Sequence, residues 1–183
     1  INVKGRSRKL YLNYRTTEEI RRFAVAVLEG CEVDDLDEGT DELTRYKSIS
    51  HGPPPNRQLF GHLEEALKGL SVLVKTGLAA EHSVCVVFPN KQISKAVYDA
   101  LKAVRLEAHV LGTDGRDVPD SKVVRIATMH RAKGLEFDEV VLLLPGSSEN
   151  RERANDQSRR LQYVAITRAR RIANVLCFGV APE

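Results

Sequence analysis

Residues 83–89, SVCVVFP, are apolar almost without a break, the pattern of a strand buried on both faces of a sheet. KVVRIATMH at 122–130, DEVVLLLP at 138–145 and ANVLCFG at 173–179 repeat it. Shorter strands are expected at 9–13 (KLYLN) and at about 107–111. Between these runs the apolar spacing changes to three and four. Ile20, Phe23, Ala24, Val27 and Leu28 share one helical face, after a cap at Thr16 or Thr17 and before a stop at Gly30. Leu63, Ala66, Leu67, Leu70, Leu73 and Val74 mark a second helix over 61–75, and Asn90 caps a third that carries Ile93, Ala96, Val97, Leu101 and Val104. Leu161, Tyr163, Val164 and Ile166 mark a fourth. Strands alternating with helices predict an α/β domain with a mainly parallel sheet flanked by helices. Ligands in such sheets are expected at the carboxyl ends of the strands. The pattern fails over 31–60, where an acidic stretch gives way to HGPPPN, a segment suited to neither a helix nor a central strand. That stretch is expected to be irregular.

The 183 residues, 42% of them hydrophobic, suit a single domain. Charged residues make up 29% of the chain, and no apolar run approaches the roughly 20 residues of a spanning helix, so no membrane partner is expected. The first residues, INVKGRSRKL, lack Met and are followed by no apolar signal region; the chain reads as a segment of a longer protein. Cys31, Cys85 and Cys177 are far apart and form no CxxC pair. They read as buried free thiols in a reducing, cytoplasmic setting.

The 28 basic and 25 acidic residues leave a net charge of only +3. Their distribution says more. Lys4, Arg6, Arg8 and Lys9 crowd the start, and Arg151, Arg153, Arg159, Arg160, Arg168, Arg170 and Arg171 crowd the end. If the two basic ends meet in the fold, they make a phosphate site. Arg151 and Arg153 read rather as solvated helix surface, and that reading also fits Arg170 and Arg171 well.

Several chemistries are excluded. No GxxxxGK[ST] phosphate loop is present, and no paired acidic motif follows an apolar strand; DEVV at 138–141 precedes one. There is no zinc-ligand spacing and no metal site is expected. Three segments remain. LYLNYRTTEEI at 10–20 places Tyr14 and Arg15 at a strand end, offering a ring for stacking and a fork for a phosphate; alone, they are also a boundary aromatic and a surface charge. IATMHRAKGLEFDEVVLL at 126–144 runs from a strand into a polar turn holding Thr128, His130, Arg131, Lys133 and Glu136, with Gly134 permitting a backbone that a Cβ resists. SRRLQYVAITRARRIANVL at 158–176 puts Arg168 at the end of a helix, where it can reach across an interface.

Taken together, NYR at 13–15, TMHRAKGLEFD at 128–138 and YVAITRA at 163–169 are similar to motifs IV, V and VI of superfamily 1 helicases of the UvrD, Rep and PcrA type. HSVCVVFPNKQISKAVYDAL at 82–101 looks like their intervening motif IVa. The resemblance implies that residues 1–183 are a single domain, the second RecA-like domain of a motor, with the three-layer fold of P-loop NTPases but no Walker A loop of its own. It implies an ATP-dependent DNA helicase or translocase moving 3′ to 5′, with ATP between this domain and an N-terminal RecA-like domain of the same chain. Magnesium ligands belong to that missing domain, so the fragment alone is expected to be inactive.

By the same resemblance, Tyr14 packs on adenine, Arg15 and Arg168 reach the γ-phosphate as catalytic arginines, and Glu136 contacts the ribose. Thr128, His130, Arg131 and Lys133 face single-stranded or partly duplex DNA. One departure stands out. The large accessory domain of UvrD and Rep is absent, since only a short turn occupies 110–122; the chain resembles the compact relatives. The alternative reading is a non-hydrolysing nucleic-acid-binding or regulatory module derived from a motor. Fusion to a nuclease or similar partner is a third possibility that these residues do not address.

Overall fold

Val84–Phe88 (β4) lies at the middle of the molecule, and every one of its five residues is buried. The computed structural model describes residues 12–29, 31, 47–112, 122–146 and 156–179. The basic start (Lys4, Arg6, Arg8, Lys9), Gly30, the acids of 32–42, most of the turn at 112–120, and Arg151 and Arg153 lie outside the described residues.

In chain order the elements are β1 (Leu12–Asn13), α1 (Glu18–Val27), β2 (Lys47–Ser48), β3 (Asn56–Phe60), α2 (Leu63–Ala79), β4, and a 3-10 turn (Lys91–Ile93) that leads into α3 (Ser94–Ala103). Then come β5 (Ala108–Val110), β6 (Val124–Thr128), α4 (Met129–Ala132), β7 (Phe137–Pro145), α5 (Asp156–Ile166) and β8 (Ala169–Phe178). Six strands form one sheet in the order β3-β8-β7-β4-β6-β5, and every pairing in it is parallel. β1 and β2 form a separate two-stranded parallel ladder, Leu12 opposite Lys47 and Asn13 opposite Ser48.

Because side chains alternate across a strand, the sheet divides the core in two. Cys85, Val87, Val140, Leu142, Ala173 and Val175 point to one face, where α1, α4 and α5 cover them with Ile20, Ala24, Met129, Ala132, Ala165 and Ile166. Val84, Val86, Phe88, Val124, Ile126, Val141 and Leu143 point to the other, under Ala66, Leu70 and Val74 of α2 and Val97 and Leu101 of α3. The three-layer α/β architecture expected from the sequence is therefore the one observed.

Local signals account for the boundaries. Thr17, not Thr16, caps α1: its hydroxyl accepts from the Ile20 amide at 3.3 Å. Asn90 accepts from the Gln92 amide at 3.0 Å and so opens the 3-10 turn. Three expectations need correction. Residues 129–130, read as strand, begin α4, because Thr128 caps that short helix by accepting from the Arg131 amide. The strand ending in NYR is outside the main sheet. The final part of the stretch read as irregular is β3, an edge strand paired only to β8.

Below α2, Glu139 is buried beside His82 and accepts a hydrogen bond from the Asn174 amide group at 2.9 Å. Burial pushes its carboxyl above the usual range. Gly77 leaves the space for it: a Cβ there meets Glu139 Oε2 at 2.5 Å and Val84 Cγ2 at 2.8 Å. Gly77→Ala gains about 1 kcal/mol of helix propensity, but crowding a packed interior costs about 1–3 kcal/mol. A net loss, read as a lower urea midpoint, is expected. An unchanged midpoint means that Glu139 moves aside freely.

Candidate functional site

The parallel register separates the candidate residues into two groups. Thr128 ends β6 level with Phe88, the last residue of β4, and Val87 of β4 pairs with Leu142 of β7. Phe137 therefore starts β7 about six residues lower, or about 20 Å along the strands at the parallel rise of about 3.3 Å per residue. Thr128 sits at the carboxyl edge of the sheet. Glu136 immediately precedes β7 and Arg168 immediately precedes β8, which places both at the amino edge. Of these candidate residues only Thr128 lies at the carboxyl ends of the strands, whereas Glu136 and Arg168 lie at the amino ends. The physical reason is the link between β6 and β7. Four residues of helix and a short turn run the depth of the sheet, and Gly134 makes the turn with a φ of 88°.

At the amino edge the structure brings three predicted residues together. Arg15 Nε and Glu136 Oε1 form an ion pair at 2.6 Å. Arg168 is half-buried, and its Nε donates to the Val164 carbonyl at 3.0 Å. Burial lowers its pKa most, and the neighbouring Arg15 lowers it further, while Glu136 and Tyr163 act the other way; all three groups are thus within electrostatic reach of it. The Arg168 carbonyl accepts from the Phe137 amide at 3.0 Å and so ties β8 to β7 beside the cluster. Tyr14 is 68% exposed and projects from the same turn as Arg15, whose amide donates to Asn13 Oδ1 at 2.8 Å.

Tyr14 and Arg15 also line a cleft of about 570 Å³, within the roughly 300–1,000 Å³ of small-molecule sites. His51, Gly52 and Pro53 form another wall, and Arg170 and Arg171 a third. The two arginines are solvent-exposed, as a solvated surface reading expects, and they also line the cleft. Arg170 Nη2 bonds Asp138 Oδ1 at 3.0 Å, and Arg171 Nε lies 3.6 Å from the same oxygen. Asp138 is itself fixed by the Ser83 hydroxyl, which donates to Oδ2 at 2.7 Å. Burial alone raises the Asp138 pKa, but the Ser83 bonds and the two guanidiniums outweigh it, and the net shift is downward. A lone Asp at a strand start carries little signal in sequence; the pairing with arginines 32 and 33 residues later is visible only in the fold.

At the carboxyl edge Thr128 and Arg131 line a smaller pocket of about 160 Å³, floored by Phe88, Ile126 and Ala127. Lys91 and Ser94 line it too; the sequence reading assigned neither a role, although the cap at Asn90 places both at the end of β4. His130, Arg131 and Lys133 are exposed on the same link. Among the described residues, no group of three or more His, Cys, Asp or Glu side chains is placed to hold a metal, and no helix is long and apolar enough to cross a membrane.

These features define an α/β domain with charged clusters on two opposite edges of a parallel sheet. Residues 111–173 match the family model of the UvrD-like helicase C-terminal domain, about a third of the chain, which includes Thr128, Glu136 and Arg168 but not Tyr14 or Arg15. The chain is also similar in structure to the C-terminal domain of a possible DNA helicase from Lactobacillus plantarum WCFS1. That likeness has a TM-score of 0.67 and 22% identity, and covers 91% of this chain and 88% of the other. At that identity it shows the fold. No curated protein matches the sequence. The resemblance read from motifs V and VI is thus found independently over those residues, and the domain as a whole shares the fold of that solved structure.

Proposed function

We propose that this chain is the C-terminal motor domain of an ATP-dependent DNA helicase or translocase, acting with an N-terminal RecA-like domain of the same protein. One observation carries the reading. A single link, 128–136, joins a cationic carboxyl edge to the Arg15–Glu136–Arg168 cluster at the amino edge. The chemistry of the amino-edge group fits a nucleoside triphosphate: an exposed ring at Tyr14, a carboxylate that accepts from hydroxyls at Glu136, and two guanidinium forks. ATP would bring the scissile phosphate and its magnesium ion, with the metal held by the partner domain. Arg15 and Arg168 would then meet charge that builds on the γ-phosphate. In the structure Arg15 is paired with Glu136, so phosphate binding exchanges one anionic partner for another.

The carboxyl edge suits a nucleic-acid backbone. Arg131 carries charge and Thr128 a hydrogen-bonding group at the edge itself, and exposed His130, Lys133 and Gly134 follow on the link that leaves it. Closure of the two domains around ATP would move this edge relative to the partner domain, which is translocation. Movement from 3′ to 5′ follows the family likeness.

Single-stranded DNA binding by the full-length protein tests the carboxyl-edge placement. Each phosphate contact contributes to the slope of affinity against salt. Arg131→Ala is expected to weaken binding evenly across sequences and to reduce that slope by about 1. Unchanged affinity and slope in both Arg131→Ala and Lys133→Ala would place the DNA elsewhere.

A further inference from the structure

One wall of the amino-edge cleft is formed by residues 50–53 of a short strap, residues 47–53, and two adjacent carboxylates hold it. Glu18 Oε2 accepts from the Ser48 amide at 2.8 Å, and the Glu18 amide donates to the Ser50 carbonyl at 2.9 Å. Glu19 takes the next turn of the strap: Oε2 accepts from the Gly52 amide at 2.9 Å, and Oε1 lies 2.9 Å from His51 Nδ1. Gly52 fits because nothing larger does. A Cβ there meets Thr17 Cγ2 at 2.8 Å and the Arg171 carbonyl at 3.2 Å. The strap is therefore wedged between the start of α1 and the start of β8.

Glu18 and Glu19 differ in where they act. Glu18 is buried and paired with Arg21, so it belongs to the framework. Glu19 is linked to His51 and Gly52 alone among the bonds that define the strap, and both of those residues line the cleft. Pro53 and Ile172 add apolar surface and Tyr14 an aromatic ring, while Arg171 adds a cation. Flat apolar surface beside guanidinium groups is the chemistry that receives a nucleobase with its sugar and phosphates.

We propose that Glu19 is a positioning residue for nucleotide binding: it sets the 51–53 turn so that His51 and Pro53 form the second wall of the site whose first wall is Tyr14. The proposal rests on the reading of this cleft as part of the ATP site. The bonds to His51 and to the Gly52 amide hold the Glu19 carboxyl at about 2, so the anchor stays ionised throughout the working range of such an enzyme.

The test is steady-state ATP hydrolysis by the full-length protein with saturating single-stranded DNA, on Glu19→Ala, Glu19→Gln and His51→Ala, with thermal melting alongside. Loss of a preformed wall weakens ground-state and transition-state binding alike, so KM rises while kcat holds. Glu19→Ala is expected to raise KM for ATP about tenfold with kcat within about twofold. Glu19→Gln keeps a carbonyl oxygen for the Gly52 amide and is expected to recover most of the loss. His51→Ala raises KM by about threefold. An unchanged KM in Glu19→Ala and His51→Ala, with Arg168→Ala still inactive, overturns the proposal and leaves the nucleotide reading intact. A fall in kcat and melting temperature without a change in KM assigns Glu19 to stability and also overturns it. A wild-type protein that neither binds nor hydrolyses ATP overturns both.

Discussion

Arg168→Ala is expected to lower DNA-dependent ATP hydrolysis by the full-length protein by about 10³-fold or more, the scale on which arginine fingers act in nucleotide hydrolases. That expectation rests on the proposed function and on where the side chain lies. It leaves the end of α5 just before β8, and its Nε is fixed by the Val164 carbonyl. Its carbonyl, not its side chain, makes the bond that joins β8 to β7. Truncation therefore leaves the sheet intact, and melting is expected to change little. Nucleotide affinity is expected to stay within a few-fold, because the interaction strengthens as charge develops in the transition state. Arg168→Lys keeps a cation but loses the planar fork and the Nε donor, and it is expected to recover only part of the activity. Full activity in Arg168→Ala would remove the mechanism.

Glu18→Ala is the substitution expected to cost most in stability. Glu18 and Arg21 pair at 2.7 Å with side chains only 8% and 10% exposed, and Arg22 and the Ser48 amide share the same carboxylate. Removing it takes from the buried Arg21 a charge-assisted hydrogen bond, for which a loss of about 1.5–3 kcal/mol is typical. The Ser48 amide loses its acceptor at the same time. Arg21 leads the forces that lower the Glu18 carboxyl from 4.5 to about 2, with burial opposing and Ser48 and Arg22 assisting. An acid with a depressed folded value stabilises fully above its unfolded value. Its contribution is lost as pH falls from 4.5 toward 2. The gap in urea stability between wild type and Glu18→Ala should therefore be widest at neutral pH and narrow steadily below pH 4.5. A gap that is constant from pH 7 to pH 2.5 would show that the ion pair contributes nothing beyond packing.

What the sequence made legible depended on how far each feature's partners lie along the chain. β4, β6 and β7 are buried on both faces, so each announces itself as an apolar run, and the α1 and α2 faces follow from spacing of three and four. β3 did not, because NRQLF is an edge strand with one neighbour and two apolar residues in five. The pairing of β1 with β2 spans more than 30 residues and only two positions, too short to leave a periodicity. Glu18 and Glu19 look like ordinary acids favoured at a helix start by the macrodipole; that their carboxylates accept from backbone amides around residue 50 leaves no trace in composition. Arg170 and Arg171 suffered the same fate, since the Asp138 that holds them lies on the neighbouring strand.

The motifs themselves were readable because they are local. What they concealed was direction. Thr128 and Glu136 are eight positions apart in the chain, yet they stand on opposite edges of the sheet, because four residues of helix and the turn at Gly134 carry the chain across it. The segment 128–136 is thus a strut between two edges of the sheet. Under the proposed function, that geometry couples the two edges mechanically rather than through contact between their ligands.

ATP hydrolysis by the full-length wild-type protein, measured with and without single-stranded DNA, tests this coupling most directly. A strut that links the DNA edge to the Arg15–Glu136–Arg168 cluster predicts turnover that is low alone and rises at least about tenfold when DNA is added. Equal turnover with and without DNA, or none in either case, would contradict it.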